Sequence, residues 1–308
     1  MKIAVIGTGF GKHAAAPAYA GLGFDVEVVS PRDGAAVEAA LASDVDLVSV
    51  HSPPFLHLEH VTAAIEHGHA VLCDKPFGRN ADEAALMRDR AREAGVLHFL
   101  NFEFRFNESW TRLKELAADG TIGTPKHLQW TFFGSGLRGR KFGWINDRDL
   151  GGGWVGAYGS HLIDFTRWLF DSEITDCGGV TRIDGSPESA TAEDAYAAWF
   201  AMANGCTATH DTGFAAAVPT APSVTLLGSD GTVELAGDTT LVVRRARVDP
   251  ETVEFAAPPR RSPPPALSAF FGHVADALRT GTQIAPSFDD GLAVARAMDL
   301  LRTKAVRL

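Results

Sequence analysis

Three groups of residues have types and spacing suited to chemistry. Asp74-Lys75-Pro76 closes the apolar run Ala70–Cys73. A lysine at the end of a buried strand sits on a scaffold that holds its ammonium in place, at the sheet edge where such folds bind ligands. Far along the chain, the glycine-rich stretch Gly151–Gly159 leads into a helical pattern carrying His161 and Asp164. These two fall three apart on one helical face, so the carboxylate can orient the imidazole. Oxidation of an alcohol needs a group to take the hydroxyl proton as hydride leaves. An imidazole suits that task near neutral pH, and a lysine does if its pKa is lowered. The plainer alternatives are a strand-end surface lysine and a satisfied helical histidine.

The third group is Gly7-Thr8-Gly9-Phe10-Gly11, between a first strand and a first helix. Glycines there let the backbone approach a pyrophosphate, and the helix N-terminus offers N–H donors and a positive dipole to the anion. Lys12 stands where the strict fingerprint has its third glycine. After the second strand the chain reads Ser30-Pro31-Arg32-Asp33. A carboxylate at this place serves an NAD ribose, and a basic residue accommodates the extra phosphate of NADP. Ser30 and Arg32 favour NADP, Asp33 keeps NAD possible, and a solvated loop charge pair is the third alternative.

Positioning these residues requires an alternating scaffold. Lys2–Ile6, Asp25–Val29, Asp46–Val50, Ala70–Cys73 and Leu97–Asn101 read as short buried strands separated by helical stretches such as Ala35–Ala42 and Ala81–Ala94. The second of these starts with Asn80 as N-cap and Glu83 three residues on. Such alternation predicts a doubly wound parallel sheet. From about Thr124 strands follow one another: Lys126–Phe133, Ala195–Met202, Thr207–Thr212, Val224–Leu227, Thr232–Leu235 and Leu241–Arg244, with Ser229-Asp230-Gly231 as a tight turn. One helix, Tyr158–Phe170, interrupts them, and helices over Leu267–Arg279 and Ser287–Thr303 close the chain after a proline- and arginine-rich excursion, Ala256–Pro265. The fold class read from this pattern is α/β. A Rossmann domain over 1–120 is followed by an α+β domain over 121–308 with a large, mainly antiparallel open sheet, and the last helices are free to pack back on the first domain.

Composition narrows the partners. A net charge of −10 over 308 residues argues against nucleic acid. The cluster Arg138, Arg140 and Lys141 is large enough only for one anionic group on a small ligand. Cys73, Cys177 and Cys206 show no metal-ligand spacing, so no metal is expected and the thiols read as reduced. Cys73, at the end of an apolar run, reads as a buried packing residue. The N-terminus reaches glycine after four apolar residues, a strand rather than a signal peptide, and no apolar stretch is long enough for a bilayer. The expectation is a cytoplasmic protein without membrane contact.

At these residues the chain resembles the glucose–fructose oxidoreductase/inositol dehydrogenase (Gfo/Idh/MocA) family. Gly7–Gly11 with Pro17-Ala18-Tyr19 is similar to the family's cofactor turn, and Ser52-Pro53-Pro54-Phe55-Leu56-His57 to its proline–histidine loop. Val71–Pro76 resembles its Glu-Lys-Pro motif, with Asp74 replacing glutamate. Gly151–Asp164 resembles its glycine-rich turn and catalytic-histidine helix. The resemblance implies NADP (or NAD) held by Gly7, Thr8, Gly9, Phe10, Gly11, Ser30, Arg32, Ser52, Pro53, His57, Asp74 and Lys75. It implies Lys75 at both substrate hydroxyl and nicotinamide, and His161, aided by Asp164, as acid/base. Arg105, Tyr158 and His161 would face the substrate, Trp144 would help wall the pocket, and an interdomain ion pair is the alternative for Arg105. A cis Lys75–Pro76 peptide and a homo-oligomer, dimer or tetramer, using the open sheet are implied as well. Many members carry an aspartate four residues before the histidine, where this chain has Ala157, and Ala15 stands where related turns often have histidine. The expected reaction is hydride transfer between nicotinamide and a secondary alcohol or ketone of a sugar, inositol or small polyol. Glycoside cleavage with transient oxidation, and a non-catalytic NAD(P)-sensing protein, are the alternatives.

Overall fold

The short valine-rich runs of the first hundred residues form strands bounded by turn residues; all but the edge run Asp25–Val29, which is exposed at Asp25, Glu27 and Val28, are buried on both faces. The computed structural model describes residues 1–136, 143–185, 188–257 and 263–308. Its elements begin with β1 (Lys2–Ile6), α1 (Ala16–Gly21), β2 (Asp25–Val29), α2 (Gly34–Leu41), β3 (Leu47–Val50), α3 (His57–Glu66), β4 (Val71–Cys73), α4 (Ala81–Ala94) and β5 (His98–Leu100). Then come α5 (Glu108–Ala118), β6 (Pro125–Phe133), α6 (Ser160–Phe170), β7 (Ile174–Arg182), β8 (Ala195–Met202), β9 (Thr207–Gly213) and β10 (Ser223–Gly228). The chain ends with β11 (Gly231–Ala236), β12 (Thr240–Arg245), β13 (Val248–Glu254), α7 (Pro265–Thr280), α8 (Phe288–Lys304) and β14 (Val306–Arg307). Arg138, Arg140 and Lys141 lie outside the described residues, as does the middle of the 256–265 excursion. Among the described residues no helix is long and apolar enough to cross a membrane.

The chain divides into two compact units, Met1–Phe106 with Pro258–Arg296, and Asn107–Ala257 with Ala297–Leu308. In the first, five parallel strands run in the order β2-β1-β3-β4-β5, with Val5 opposite Ser49 and Leu72 opposite Phe99. The order reverses between β1 and β3, and in such sheets ligands bind outside the carboxyl ends of the strands flanking that reversal. Ile3, Val5, Leu47, Leu72 and Phe99 form a core cluster completed by Leu267, Phe270, Phe271 and Val274 of α7. The Tyr19 and Phe271 rings stack at 3.9 Å. Asn80 caps α4 by accepting from the Glu83 N–H, but the Glu83 carboxylate returns to the Arg79 N–H, one residue before the position a capping box uses.

The second unit is built on a mixed sheet ordered β13-β12-β11-β10-β6-β9-β8-β7-β14. It is antiparallel except where β6 pairs β9 and β7 pairs β14. Alternation supplies its core: Val224, Leu226, Val233, Leu235, Leu241 and Val243 are all buried. Over these lie Trp110 of α5, Trp130 of β6 and Phe165 of α6, with edge-to-face ring pairs at 4.6–6.0 Å. The Trp110 indole donates to Asp238 at 2.9 Å. The predicted helix over Tyr158–Phe170 differs at its start: a wider π-turn spans Val155–Gly159 and α geometry begins at Ser160. The sequence reading names none of α5, β7, β13 and the two-residue β14, although α5 buries Trp110, Leu113, Leu116 and Ala117 at helical spacing and carries a legible signal.

Truncating Phe271 to Ala removes a fully buried ring from the first unit's core, so we expect a loss of about 3–5 kcal/mol. Urea denaturation measures it; a change below about 1 kcal/mol would mean that α7 is not seated in that core.

Candidate functional site

The glycine turn stands at the end of β1, beside the strand-order reversal. Thr8, Gly9 and Phe10 are exposed, and the π-turn Gly11–Ala15 carries the chain into α1. The three glycines are not equivalent. A Cβ on Gly7 would lie 2.6 Å from the His51 carbonyl oxygen, and one on Gly11 would lie 3.0 Å from the His51 Cβ. A Cβ on Gly9 would meet nothing within 4 Å. The three glycines thus differ in what surrounds them. Gly7 and Gly11 make room for the residue after β3, and Gly9 leaves open backbone where a phosphate would approach.

At the end of β2, the Ser30 hydroxyl accepts from the Arg32 N–H at 3.3 Å, and Arg32 is exposed. Asp33 is the N-cap of α2, accepting from the Ala36 N–H at 3.1 Å. One of its carboxylate oxygens is thereby engaged, a capping role the sequence reading did not assign although aspartate before a helix is a standard start signal.

After β3 the loop is locked from within. Ser52 is buried, with its hydroxyl 3.0 Å from His60 Nδ1, and Pro53 leads into a single 3-10 turn, Pro54–Leu56. His57 is fully buried, with Nε2 2.7 Å from the Ser52 carbonyl oxygen and Nδ1 3.1 Å from that of Pro76. Burial pulls this imidazole down to about 4, against the opposing pull of Asp74 and the two carbonyls. Near neutral pH it therefore carries a single N–H between the two carbonyls. His57 spans the Ser52 loop and the Lys75–Pro76 segment, whose peptide is cis.

Asp74 is buried, and its oxygens have three donors. Oδ1 accepts from the Lys75 N–H at 2.9 Å and from Asn101 Nδ2 at 3.2 Å, and Oδ2 from His51 Nδ1 at 3.1 Å. Burial pushes the carboxyl up. The His51 hydrogen bond and charge, with Lys75 and His57, outweigh that and hold it well below the usual carboxylate range. Lys75 itself is half-buried. Sequence reading missed Glu103, which is buried after β5 near Lys75 and Asp74. Desolvation pushes its carboxyl up to about 8, with Lys75 opposing and Asp74 reinforcing. Arg105 donates to Asp290 of α8 at 2.8 Å. Both belong to the first unit, so this ion pair, the alternative for Arg105, joins the segment after β5 to α8 within one compact unit.

In the second unit the glycine-rich stretch is fixed by backbone contact: a Cβ on Gly152 would lie 2.3 Å from the Trp144 carbonyl oxygen. Glu193 pairs with Arg302 at 2.9 Å and accepts from the Val155 N–H at 3.3 Å. Tyr158 is half-buried and its ring stacks on Trp154 at 4.9 Å. His161 and Asp164 are buried on α6, and Asp164 lies 3.8 Å from the Arg167 guanidinium. That guanidinium also binds Glu173 at 2.6 Å.

Two family models match. Residues 23–102 match the oxidoreductase family with an NAD-binding Rossmann fold, and residues 110–234 match the GFO/IDH/MocA C-terminal domain. The chain belongs to the Gfo/Idh/MocA oxidoreductase family. An uncharacterised oxidoreductase of Synechocystis is 34% identical over 190 residues, 55% of this chain and 51% of that protein. Glucose-6-phosphate 3-dehydrogenase of Bacillus subtilis is 34% identical over 128 residues, covering 41% and 37%. D-xylose 1-dehydrogenase (NADP(+)) 2 of Haloferax volcanii is 29% identical over 212 residues, covering 60% and 65%. These matches span from about a third to just under two thirds of the relatives' own lengths. Among solved structures, levoglucosan dehydrogenase in complex with NADH superposes with a TM-score of 0.85 at 19% identity, covering 99% of this chain and 96% of that one. An oxidoreductase domain protein from Kribbella flavida gives 0.84 at 23%, covering 98% and 96%. These likenesses show the fold.

Two outcomes test this geometry. Gly7→Ala should lower the melting temperature by several degrees because its methyl meets the His51 backbone, whereas Gly9→Ala should leave melting nearly unchanged and weaken dinucleotide binding about tenfold or more. Equal melting shifts for the two would contradict the division of roles. Glu103 has a folded-state pKa raised above its unfolded value, so its burial is best tolerated below about pH 4.5 and costs stability as pH rises towards 8. Glu103→Gln should therefore be increasingly more stable than the parent from pH 5 to pH 9 in urea melts. A difference independent of pH would show that the carboxyl is not held protonated.

Proposed function

We propose that this chain is an NAD(P)-dependent dehydrogenase or reductase acting on a secondary alcohol or ketone of a sugar, inositol or related small polyol. The observation that carries the reading is the exposed, open Gly9 backbone at the β1/β3 reversal, with Lys75 at the end of neighbouring β4. The donors present suit a dinucleotide. The turn offers backbone N–H groups at the start of a helical segment, and no acidic side chain occurs within Gly7–Gly11 to repel a pyrophosphate. When bound, the dinucleotide supplies the hydride donor or acceptor.

The roles of the chain's own residues follow from the chemistry. Lys75 holds and polarises the reacting oxygen, and His161 takes or returns the hydroxyl proton, with Asp164 assisting from the same helix and Tyr158, in the π-turn before it, facing the substrate. Glu103, kept protonated by burial, leaves Asp74 as the neighbouring negative charge that balances the ammonium. The curated relatives named for glucose 6-phosphate and D-xylose support a sugar-like substrate. NADP is the preferred dinucleotide in this reading, because Arg32 is exposed and Asp33 has one oxygen committed to its helix cap; NAD remains a second cofactor. Self-association as a dimer or tetramer is part of the reading. It is supported by Trp199 and Leu227, which are 47% and 43% exposed on one face of the second unit's sheet.

Lys75→Ala should reduce turnover about 10²–10⁴-fold while leaving the dinucleotide-induced rise in melting temperature intact. The assay is reduced-nicotinamide absorbance across a panel of polyols and sugars. Unchanged turnover removes Lys75 from the reaction, and the absence of a melting shift with both NAD and NADP removes the reading as a whole.

A further inference from the structure

We propose that His51 is a positioning residue that ties the glycine turn to the Lys75 segment by holding Asp74. The inference rests on the role assigned to Lys75 above. His51 stands immediately after β3, so its backbone belongs to the strand that flanks the sheet's order reversal. On one side its carbonyl and Cβ form the floor against which Gly7 and Gly11 pack, and its ring lies 5.7 Å from that of Phe10. On the other side its Nδ1 contacts the carboxylate that accepts from the Lys75 N–H. One residue therefore touches both the place where a pyrophosphate would sit and the peptide from which the ammonium arm projects.

The network behind it shows what kind of role this is. His51 Nε2 is 2.8 Å from the Ser49 hydroxyl, which is 3.0 Å from the Tyr19 hydroxyl. Tyr19 is fully buried, and burial pushes its hydroxyl far above the ordinary range, so it stays a donor. The Asp74 carboxylate can only accept, so His51 Nδ1 donates to it, and the Ser49 and Tyr19 hydroxyls continue the line behind Nε2. The two ring contacts place a proton on Nδ1 and fix the ring plane. The line ends on a phenol in the core rather than at solvent, so it conducts no proton to the bulk. It orients Asp74, and through Asp74 the first peptide of the lysine segment.

Aspartate where the resembled motif has glutamate fits this geometry. The shorter side chain keeps its carboxylate beside its own backbone, within reach of both the Lys75 N–H and the ring of His51. Ser49 is the other sign of the network, a hydroxyl inside the buried strand LVSV that requires an internal partner.

The test uses the position of the side-chain nitrogen. The amide nitrogen of asparagine stands roughly where Nδ1 does, and that of glutamine roughly where Nε2 does. His51→Asn thus restores the donor to Asp74, while His51→Gln restores only the Ser49 contact and His51→Ala neither. Reductive methylation of Lys75, read by peptide mass spectrometry against exposed Lys12, reports the freedom of the arm without dinucleotide or substrate. We expect Lys75 methylation to rise about threefold or more in the Gln and Ala variants and to stay near parental in the Asn variant. With a turned-over substrate, kcat should fall about tenfold or more in Gln and Ala with KM nearly unchanged, Asn rescuing it, as expected for a misplaced reacting group. Asn and Gln variants that behave alike, or methylation that merely follows melting temperature across the three, overturn the proposal. A parent protein that binds no NADH or NADPH by fluorescence defeats the functional reading instead, and the Asn–Gln contrast at Lys75 still decides the role of His51.

Discussion

A carboxylate removed from water costs several kcal/mol unless donors replace its hydration, and the carboxyl edge of the first unit is arranged around one such group. Asp74 collects its donors from three places: the residue after β3, its own following peptide, and Asn101 after β5. The ends of three neighbouring strands are thereby tied to a single pair of oxygens. None of the three can shift without stranding part of a buried charge. The Lys75 arm inherits its starting direction from this node, and His57 adds a second tie from the same loop to the Pro76 carbonyl.

The scaffold was largely legible in the sequence because its signals are local. Buried parallel strands read as short apolar runs, and β1 and β2 fall where the alternation places them, with β3, β4 and β5 within a residue at their ends. The first unit's caps also carry recognisable residues, Asn80 and Asp33. What escaped was tertiary. Glu103 looks in sequence like a loop carboxylate between aromatic residues; only the fold reveals that it is dry and near a lysine. His51 ends an apolar strand and reads as its polar boundary, whereas its partners lie at Tyr19 and Asp74, far away along the chain. Ser49 was the available clue, since a hydroxyl in a strand buried on both faces must be answered by another polar group.

The glycine turn shows how a motif can be recognised for an incomplete reason. Spacing alone suggests that each glycine clears a path for a ligand. In the folded chain two of them clear a path for the protein itself, and only the middle one faces open space. Packing of the turn and access to it are thus divided among residues that look identical in a pattern. The second unit was harder to read because its sheet is mixed and its edge strands are polar: β13 is exposed along nearly its whole length and carries no alternation.

Both glycine-rich stretches enter their helices through a π-turn, at Gly11–Ala15 and Val155–Gly159. A π-turn closes over five residues rather than four, so counting by α-helical steps fails across it. In an unbroken α-helix, position 157 would stack one turn before His161 and present its side chain along the same stripe. Here the wider loop of backbone ends just before Ser160, so that rule does not place Ala157 relative to His161. A separation of four residues at this point of the chain counts residues, not one turn of α-helix.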